Sequence, residues 1–264
     1  MFKQRFITSL ILIPLIILMI LYSNQWLVIA FLLTLVLLCG YEWIQLIPIT
    51  DSILKYIFNV ALLLFVYFSF KEFNLYLYCG LCVWVILFGA ILTYPKSQFI
   101  WGKPFIVLLI AFIMLPLFVT TLFKIWFIPF IGKFLLIYLF FLVWSNDIAA
   151  YVFGKHFGQH KLIPLVSPGK TIEGAFAGMV LVILVSVIGF FIFRPKFFVI
   201  WVLFAIVIGV VSIFGDLLIS MLKRRCSLKD TGNLIPGHGG ILDRVDSLIA
   251  ATPWFYFGYI TIYS

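Results

Sequence analysis

The chain has 264 residues, of which 65% are hydrophobic and only 10% charged, and its mean hydropathy is +1.25. Soluble domains run at about 45–50% apolar and about 25% charged, and even a domain of this size leaves about a quarter of its chain area exposed to water. That excludes a water-soluble fold, and the net charge of +9 points to anionic lipid headgroups rather than nucleic acid, which would need a soluble basic face.

With lipid as the solvent, a spanning helix needs about 20 apolar residues. Long apolar runs without alternation exclude a membrane β-barrel and leave helices. Nine candidate spans follow in order, at about 6–22, 26–47, 53–70, 74–94, 104–123, 131–152, 173–193, 197–222 and 241–262. The expected fold is an all-α integral membrane protein, a polytopic helical bundle of about nine transmembrane helices forming a single membrane domain. Residues 1–145 read as a lipid-embedded scaffold, and 146–264 as catalytic helices with two cytoplasmic loops.

The first span opens with MFKQRF before its apolar run, as a signal peptide does. No small-residue cleavage site follows it, so it is expected to stay as a membrane helix. In the fourth span Cys79 and Cys82 form a C-x-x-C, but no second pair or nearby cation accompanies them. They read as small apolar residues, and the four cysteines imply no disulfide framework.

With the N-terminus in the cytoplasm, thirteen of the 18 Lys and Arg residues fall on that side and five on the other. The positive-inside bias therefore orients the chain and puts the two long polar connections, about 153–172 and 223–240, on the cytoplasmic face.

Between the sixth and seventh spans the chain reads WSNDIAAYVFGKHFGQHKLIPLVSPGKTIEG. Gly169-Lys170-Thr171 resembles the end of a P-loop, but position 164 is proline where that motif needs glycine. What remains is a turn over Ser167-Pro168-Gly169 leading into a helix. Lys170 and Thr171 at its N-terminus could hold a phosphate or cap the seventh span.

Six of the nine acidic residues lie at or beyond position 147. Asp147, Asp216, Asp243 and Asp246 fall within or at the ends of apolar helices, where an ionisable group is costly and marks a functional site by default. The alternative is a helix cap or a structural ion pair, such as Asp243 with Arg244 or Lys223. Asp243 and Asp246, three apart, share a helix face, and Asp216 approaches the cytoplasmic end of the preceding span with Ser220 and Lys223 on its stripe. Antiparallel neighbours would bring Asp216, Asp243 and Asp246 together at one depth. Such carboxylates repel unless neutralised, and all-oxygen ligands suit a hard cation, Mg²⁺, as one ion or with a second. Lys223, Arg224, Arg225, Lys229, His238 and Arg244 surround the same place, with Gly237, Gly239 and Gly240 permitting close backbone approach. Carboxylates, cations and a helix start with free N–H groups together make a polyphosphate site. His238 alone reads as a hydrogen-bonding or structural residue.

The run Ser220-Met-Leu-Lys223-Arg224, Lys229-Asp230-x-Gly232, Pro236-Gly-His-Gly-Gly240, Asp243-Arg244-x-Asp246 resembles the signature of phosphatidate cytidylyltransferases, also called CDP-diacylglycerol synthases. The block from Asp147 to Tyr151, with Gly154, Phe157-Gly158, Lys161-Leu162 and Ser167-Pro168 to Thr171, resembles the same family. The resemblance implies that CTP and phosphatidate react, with Mg²⁺, to CDP-diacylglycerol and pyrophosphate, in the inner membrane of the cell and with a dimer as partner state. It implies a metal centre among Asp216, Asp243 and Asp246, phosphate binding by Lys223, Arg224, Lys229 and Arg244, and backbone approach at Gly237 to Gly240 with His238 as donor. Ser167, Lys170 and Thr171 would hold the lipid phosphate or CTP, and Asp147 would read the nucleotide or support the site. Two rivals make different demands. A phosphotransferase consuming CDP-lipid would carry a D-G-x-x-A-R block, which this sequence lacks. An ion-coupled transporter would place acids at the membrane midplane within repeats.

Overall fold

Apolar runs and their caps set the helix ends. The computed structural model describes the backbone of residues 2–47, 51–232, 234 and 239–263, with side chains from residue 12 to 262 within those ranges. Helix α1 is Phe2–Tyr22, and α2, Gln25–Trp43, starts at Asn24, whose side chain accepts from Leu27 N at 2.9 Å. A 3₁₀ turn, Ile44–Leu46, continues α2. Asp51 likewise caps α3, Ser52–Lys71, by accepting from Ile53 N at 2.7 Å. These side chains satisfy amides that the first helical turn leaves without partners. Helix α4, Phe73–Leu92, and the short α5, Gln98–Trp101, lead to α6, Pro104–Trp126, whose first residue is a proline that needs no N–H there. Helix α7 is Gly132–Phe157, α8 Ile172–Phe193, α9 Phe198–Arg225 and α10 Leu242–Tyr263.

Among the described residues, seven helices are long and apolar enough to cross a membrane: α2 with its 3₁₀ turn, α3, α4, α6, α7, α8 and α9. They coincide with the second to eighth expected spans. The first and ninth correspond to α1, whose described apolar part is Leu12–Tyr22, and to α10, which carries Asp243, Arg244 and Asp246 in its opening turns. An all-α polytopic membrane protein is therefore the architecture.

Helix α6 is the most enclosed of the spans, while α3 and α8 are the least. On α8 one stripe, Phe176, Val180, Leu184, Ile188 and Phe191, is exposed, and the opposite stripe, Gly174, Gly178, Val182, Ser186 and Gly189, is buried. The exposed stripe suits lipid, and the small residues let helices approach closely, as membrane interfaces require. A Cβ on Gly178 would overlap Asn146 of α7, and one on Gly189 would crowd the Tyr138 ring. Asn146 in turn donates to Gly209 O at 2.9 Å and Ser212 Oγ at 2.8 Å on α9, which locks α7, α8 and α9 together.

One element departs from the expected helices and loops. The connection after α7 folds into an antiparallel hairpin, β1 Lys161–Ile163 with β2 Ser167–Thr171, in register Lys161 to Thr171 and Ile163 to Ser167. Pro168 is tolerated because a two-stranded ribbon is all edge, where a missing N–H costs little. Helix α7 also runs five residues beyond the expected span end at 152, so the polar connection shrinks to the hairpin and its flanks.

Candidate active site

Three elements, the hairpin, the end of α9 and the start of α10, converge on one cluster. At the base of the hairpin, Glu173 in the first turn of α8 accepts from His160 Nδ1 at 2.7 Å and from the amides of Gln159 and His160, each at 3.1 Å at its closest. Thr171 caps α8 by accepting from Gly174 N at 3.1 Å. The turn carbonyl of Val166 accepts from Arg224 Nε at 3.2 Å, which ties the hairpin to the end of α9. Ser167 begins β2, half-buried. So mounted, Lys170 reaches α9: its Nζ is 2.7 Å from Asp216 Oδ2 and donates to Ile213 O at 3.4 Å. On the other Asp216 oxygen, Ser220 Oγ donates at 3.1 Å, as their spacing on one helical stripe predicts.

The antiparallel register of α9 and α10 separates the acids into two layers. A Cβ on Gly215 would collide with Asp246 O, Ala250 and Ser247, so Asp216 lies level with Asp246. Lys223, two turns further along α9, instead meets Asp243: its Nζ is 2.6 Å from Asp243 Oδ1, and both side chains are nearly enclosed. The expected trio of Asp216, Asp243 and Asp246 at one depth is corrected accordingly. With Asp216 level with Asp246, Asp243 lies three residues, about 4.5 Å of helix rise, towards the start of α10, where the long side chain of Lys223 reaches it.

The deeper layer holds Asp147 of α7, Asp216 and Asp246. Asp246 is buried and in electrostatic contact with Asp216 and Asp147. Asp147 interacts with Ser247 and feels the charges of Lys170, Asp216 and Arg244. Asp147 and Arg244 are exposed, so the layer has an open mouth. Among the described residues, no three of His, Cys, Asp and Glu form a metal-ligating group. The donor chemistry nonetheless fits a hard cation: three carboxylates gather around one close ammonium, and an all-oxygen set suits Mg²⁺.

The shallower layer is a closed hydrogen-bond knot. Asp243 Oδ2 accepts from Thr231 N at 2.8 Å, Thr231 Oγ1 at 3.0 Å and Gly240 N at 3.1 Å. Both Asp243 oxygens are thus engaged within the protein, and the pairing with Lys223 weighed as a structural alternative is what the geometry contains. Glu42 of α2 joins the knot, accepting from Ile241 N at 2.9 Å and Leu242 N at 2.7 Å and sharing with Asp243 the one hydroxyl proton of Thr231, whose Oγ1 is 3.2 Å away. The amides of Gly240, Ile241 and Leu242, expected to be free for a phosphate, are therefore taken by carboxylates.

The remaining predicted residues sit around this core. Gly239 adopts φ +84°, a left-handed conformation that glycine alone takes without strain. A Cβ on Gly240 would overlap Thr231 Oγ1 and Glu42 Oε2. Arg224 and Lys229 are exposed, Arg224 also bonding the Leu228 carbonyl at 3.5 Å. Gly237 and His238 lie outside the described residues. Glu42 carried no motif and comes from the half of the chain expected to be scaffold; its only sequence signal was an acid within an apolar span.

A model of the cytidylyltransferase family matches residues 3–262. Among similar proteins, a phosphatidate cytidylyltransferase of Haemophilus influenzae is 39% identical over 191 residues, covering 68% of this chain and 66% of the relative. One of Pseudomonas aeruginosa is 35% identical over 277 residues, covering 97% of this chain and 96% of the relative. One of Staphylococcus epidermidis is 45% identical over 121 residues, covering 45% of this chain and 46% of the relative.

Proposed function

Because this chain belongs to the cytidylyltransferase family, we propose that its two-layer site transfers the cytidylyl group of CTP to phosphatidate, releasing pyrophosphate and forming CDP-diacylglycerol for phospholipid biosynthesis. The observation that carries this reading is the Lys170–Asp216 pair at 2.7 Å beside Asp147 and Asp246. It sets a phosphate-seeking cation against a pool of carboxylates where the end of α9 meets the start of α10.

A phosphatidate phosphate oxygen attacks the α-phosphorus of CTP; its lone pair forms the new P–O bond as the bond to the bridging oxygen breaks. That electron pair leaves with pyrophosphate. The nucleophile is already anionic and needs no strong base. The barrier lies in bringing two anions together in line, so catalysis is positioning plus electrostatic stabilisation. Lys170 and Arg244 face the open mouth and neutralise phosphate charge there. Lys223 stays buried against Asp243 and holds the shape of the first turn of α10. Arg224 fixes the hairpin, and with it the reach of Lys170. Lys229, exposed on the connection after α9, gives a further cation for the leaving pyrophosphate. Asp216 and Asp246, with Asp147 beside them, would hold Mg²⁺, which supplies charge neutralisation on the triphosphate when bound. The enclosed amides of α10 leave binding of the triphosphate to these cations.

The acyl chains of phosphatidate stay in lipid while its headgroup meets the polar mouth. The charge bias, thirteen cations against five, supports a multi-pass protein of the cytoplasmic membrane with this mouth facing the cytoplasm. A homodimer is the proposed assembly, by the resemblance alone. The test is a purified preparation given labelled CTP and phosphatidate with and without Mg²⁺, scored for a lipid-soluble nucleotide. Product only with both substrates supports the reading; consumption of CDP-lipid, or ion flux without CTP turnover, refutes it. Cysteines introduced at Lys229 in a cysteine-free background should label from the cytoplasmic side, and labelling from outside alone would overturn the orientation.

A further inference from the structure

Glu42 is fully buried at the end of α2, and it reaches partners 189 to 200 residues away in sequence. A buried carboxylate is costly unless donors converge on it. Three do: the amides of Ile241 and Leu242 and the hydroxyl of Thr231, shared with Asp243. The chain around it is shaped to fit, since a Cβ on Gly232 or Gly240 would press into the carboxylate. Its mounting is rigid. Trp43 Nε1 donates to Val107 O of α6 at 3.2 Å, and Arg225 Nη1 and Cys226 Sγ reach Leu46 O at 3.4 and 3.3 Å.

The amides at a helix N-terminus form a natural anion site. Here the anion is supplied by the protein. We infer that Glu42 is a positioning residue: an internal carboxylate that docks the first turn of α10 onto α2, so that Asp243 meets Lys223 and Asp246 faces Asp216. It touches no reacting group, and acts through the placement of Asp243, Arg244 and Asp246. It also explains why the Thr231–Gly232 turn and Gly240 close on the same point: each contributes a donor to, or space for, one carboxylate.

The activity arm of the test rests on the cytidylyl-transfer reading; a second arm does not. Glu42→Gln keeps the shape but turns one acceptor into a donor facing donors, and Glu42→Ala removes both oxygens. In substrate-free protein, amide exchange at Ile241 and Leu242 should quicken at least about tenfold in Glu42→Ala, with less change in Glu42→Gln, while amides near Thr252 exchange as in the parent. In turnover assays normalised to folded protein, kcat should fall about 10–100-fold, the range for partners that orient catalytic groups, with KM for CTP within about threefold. If Glu42→Ala does not fold, Glu42→Gln carries both arms. Unchanged exchange at 241–242 overturns the inference, as does kcat within about threefold of the parent. A parent protein inactive on CTP and phosphatidate would instead sink the functional reading, while the exchange arm still decides Glu42.

Discussion

Replacing Lys223 with methionine removes a cation from the centre of the site while keeping most of its apolar stem. In the parent, Lys223 Nζ sits 2.6 Å from Asp243 Oδ1, with the side chains 10% and 6% exposed. Breaking a buried pair by removing one partner costs about 3–5 kcal/mol, because the other charge is left uncompensated. Asp243 is not wholly orphaned: Thr231 N, Thr231 Oγ1 and Gly240 N still donate to Oδ2. The loss should therefore sit at the low end, about 3 kcal/mol. For a chain of this length, about 2–4 °C of Tm accompanies each kcal/mol, so Tm should fall by about 6–12 °C. Adding Asp243→Asn neutralises the stranded carboxylate and leaves an acceptor for the three donors. The double variant should regain more than half of the loss, about 2 kcal/mol relative to Lys223→Met alone. Thermal unfolding in detergent, followed by tryptophan fluorescence, measures all four proteins. A single variant within about 2 °C of the parent, or a double variant no more stable than Lys223→Met, would refute the claim that this pair holds the first turn of α10.

Further predictions concern the deeper layer and the hairpin. Chelation should abolish CTP-dependent lipid product and Mg²⁺ restore it; Asp216→Asn and Asp246→Asn should raise the Mg²⁺ needed for half-maximal rate about 10–100-fold. Asp243→Asn, whose oxygens are engaged by Lys223 and the loop, should chiefly lower Tm, and a parent-like Mg²⁺ dependence in the first two would refute this division. Lys170→Ala should raise KM for phosphatidate or CTP about tenfold by removing a charged phosphate donor; if neither KM nor turnover moves, the hairpin serves α8 as a cap alone. Gly240→Ala drives a Cβ into Thr231 and Glu42, and overpacking of this kind should cost about 1–3 kcal/mol, read as a lower Tm.

The amino-acid order by itself determined the medium and the architecture. Long apolar runs cannot be buried by a chain of this size in water, and in lipid only helices satisfy such a backbone. It also singled out the acids that the fold gathers, because Asp147, Asp216, Asp243 and Asp246 are out of place in apolar helices without a reason to be there. What it could not determine was which of them meet. Asp216 and Asp243 share a charge type and a neighbourhood, but the rotation and register of α9 against α10 pair Asp243 with Lys223 and leave Asp216 to Lys170 and Asp246. Register depends on packing such as Gly215 against Ser247 and Ala250, which is invisible to spacing along one helix. The hairpin was equally hidden, since its strands are three and five residues long and one holds Ser-Pro-Gly. Glu42 is the extreme case. It joins the site from nearly 200 residues away, and only tertiary structure could bring its carboxylate to the amides of α10, because nothing local to α2 requires an acid there.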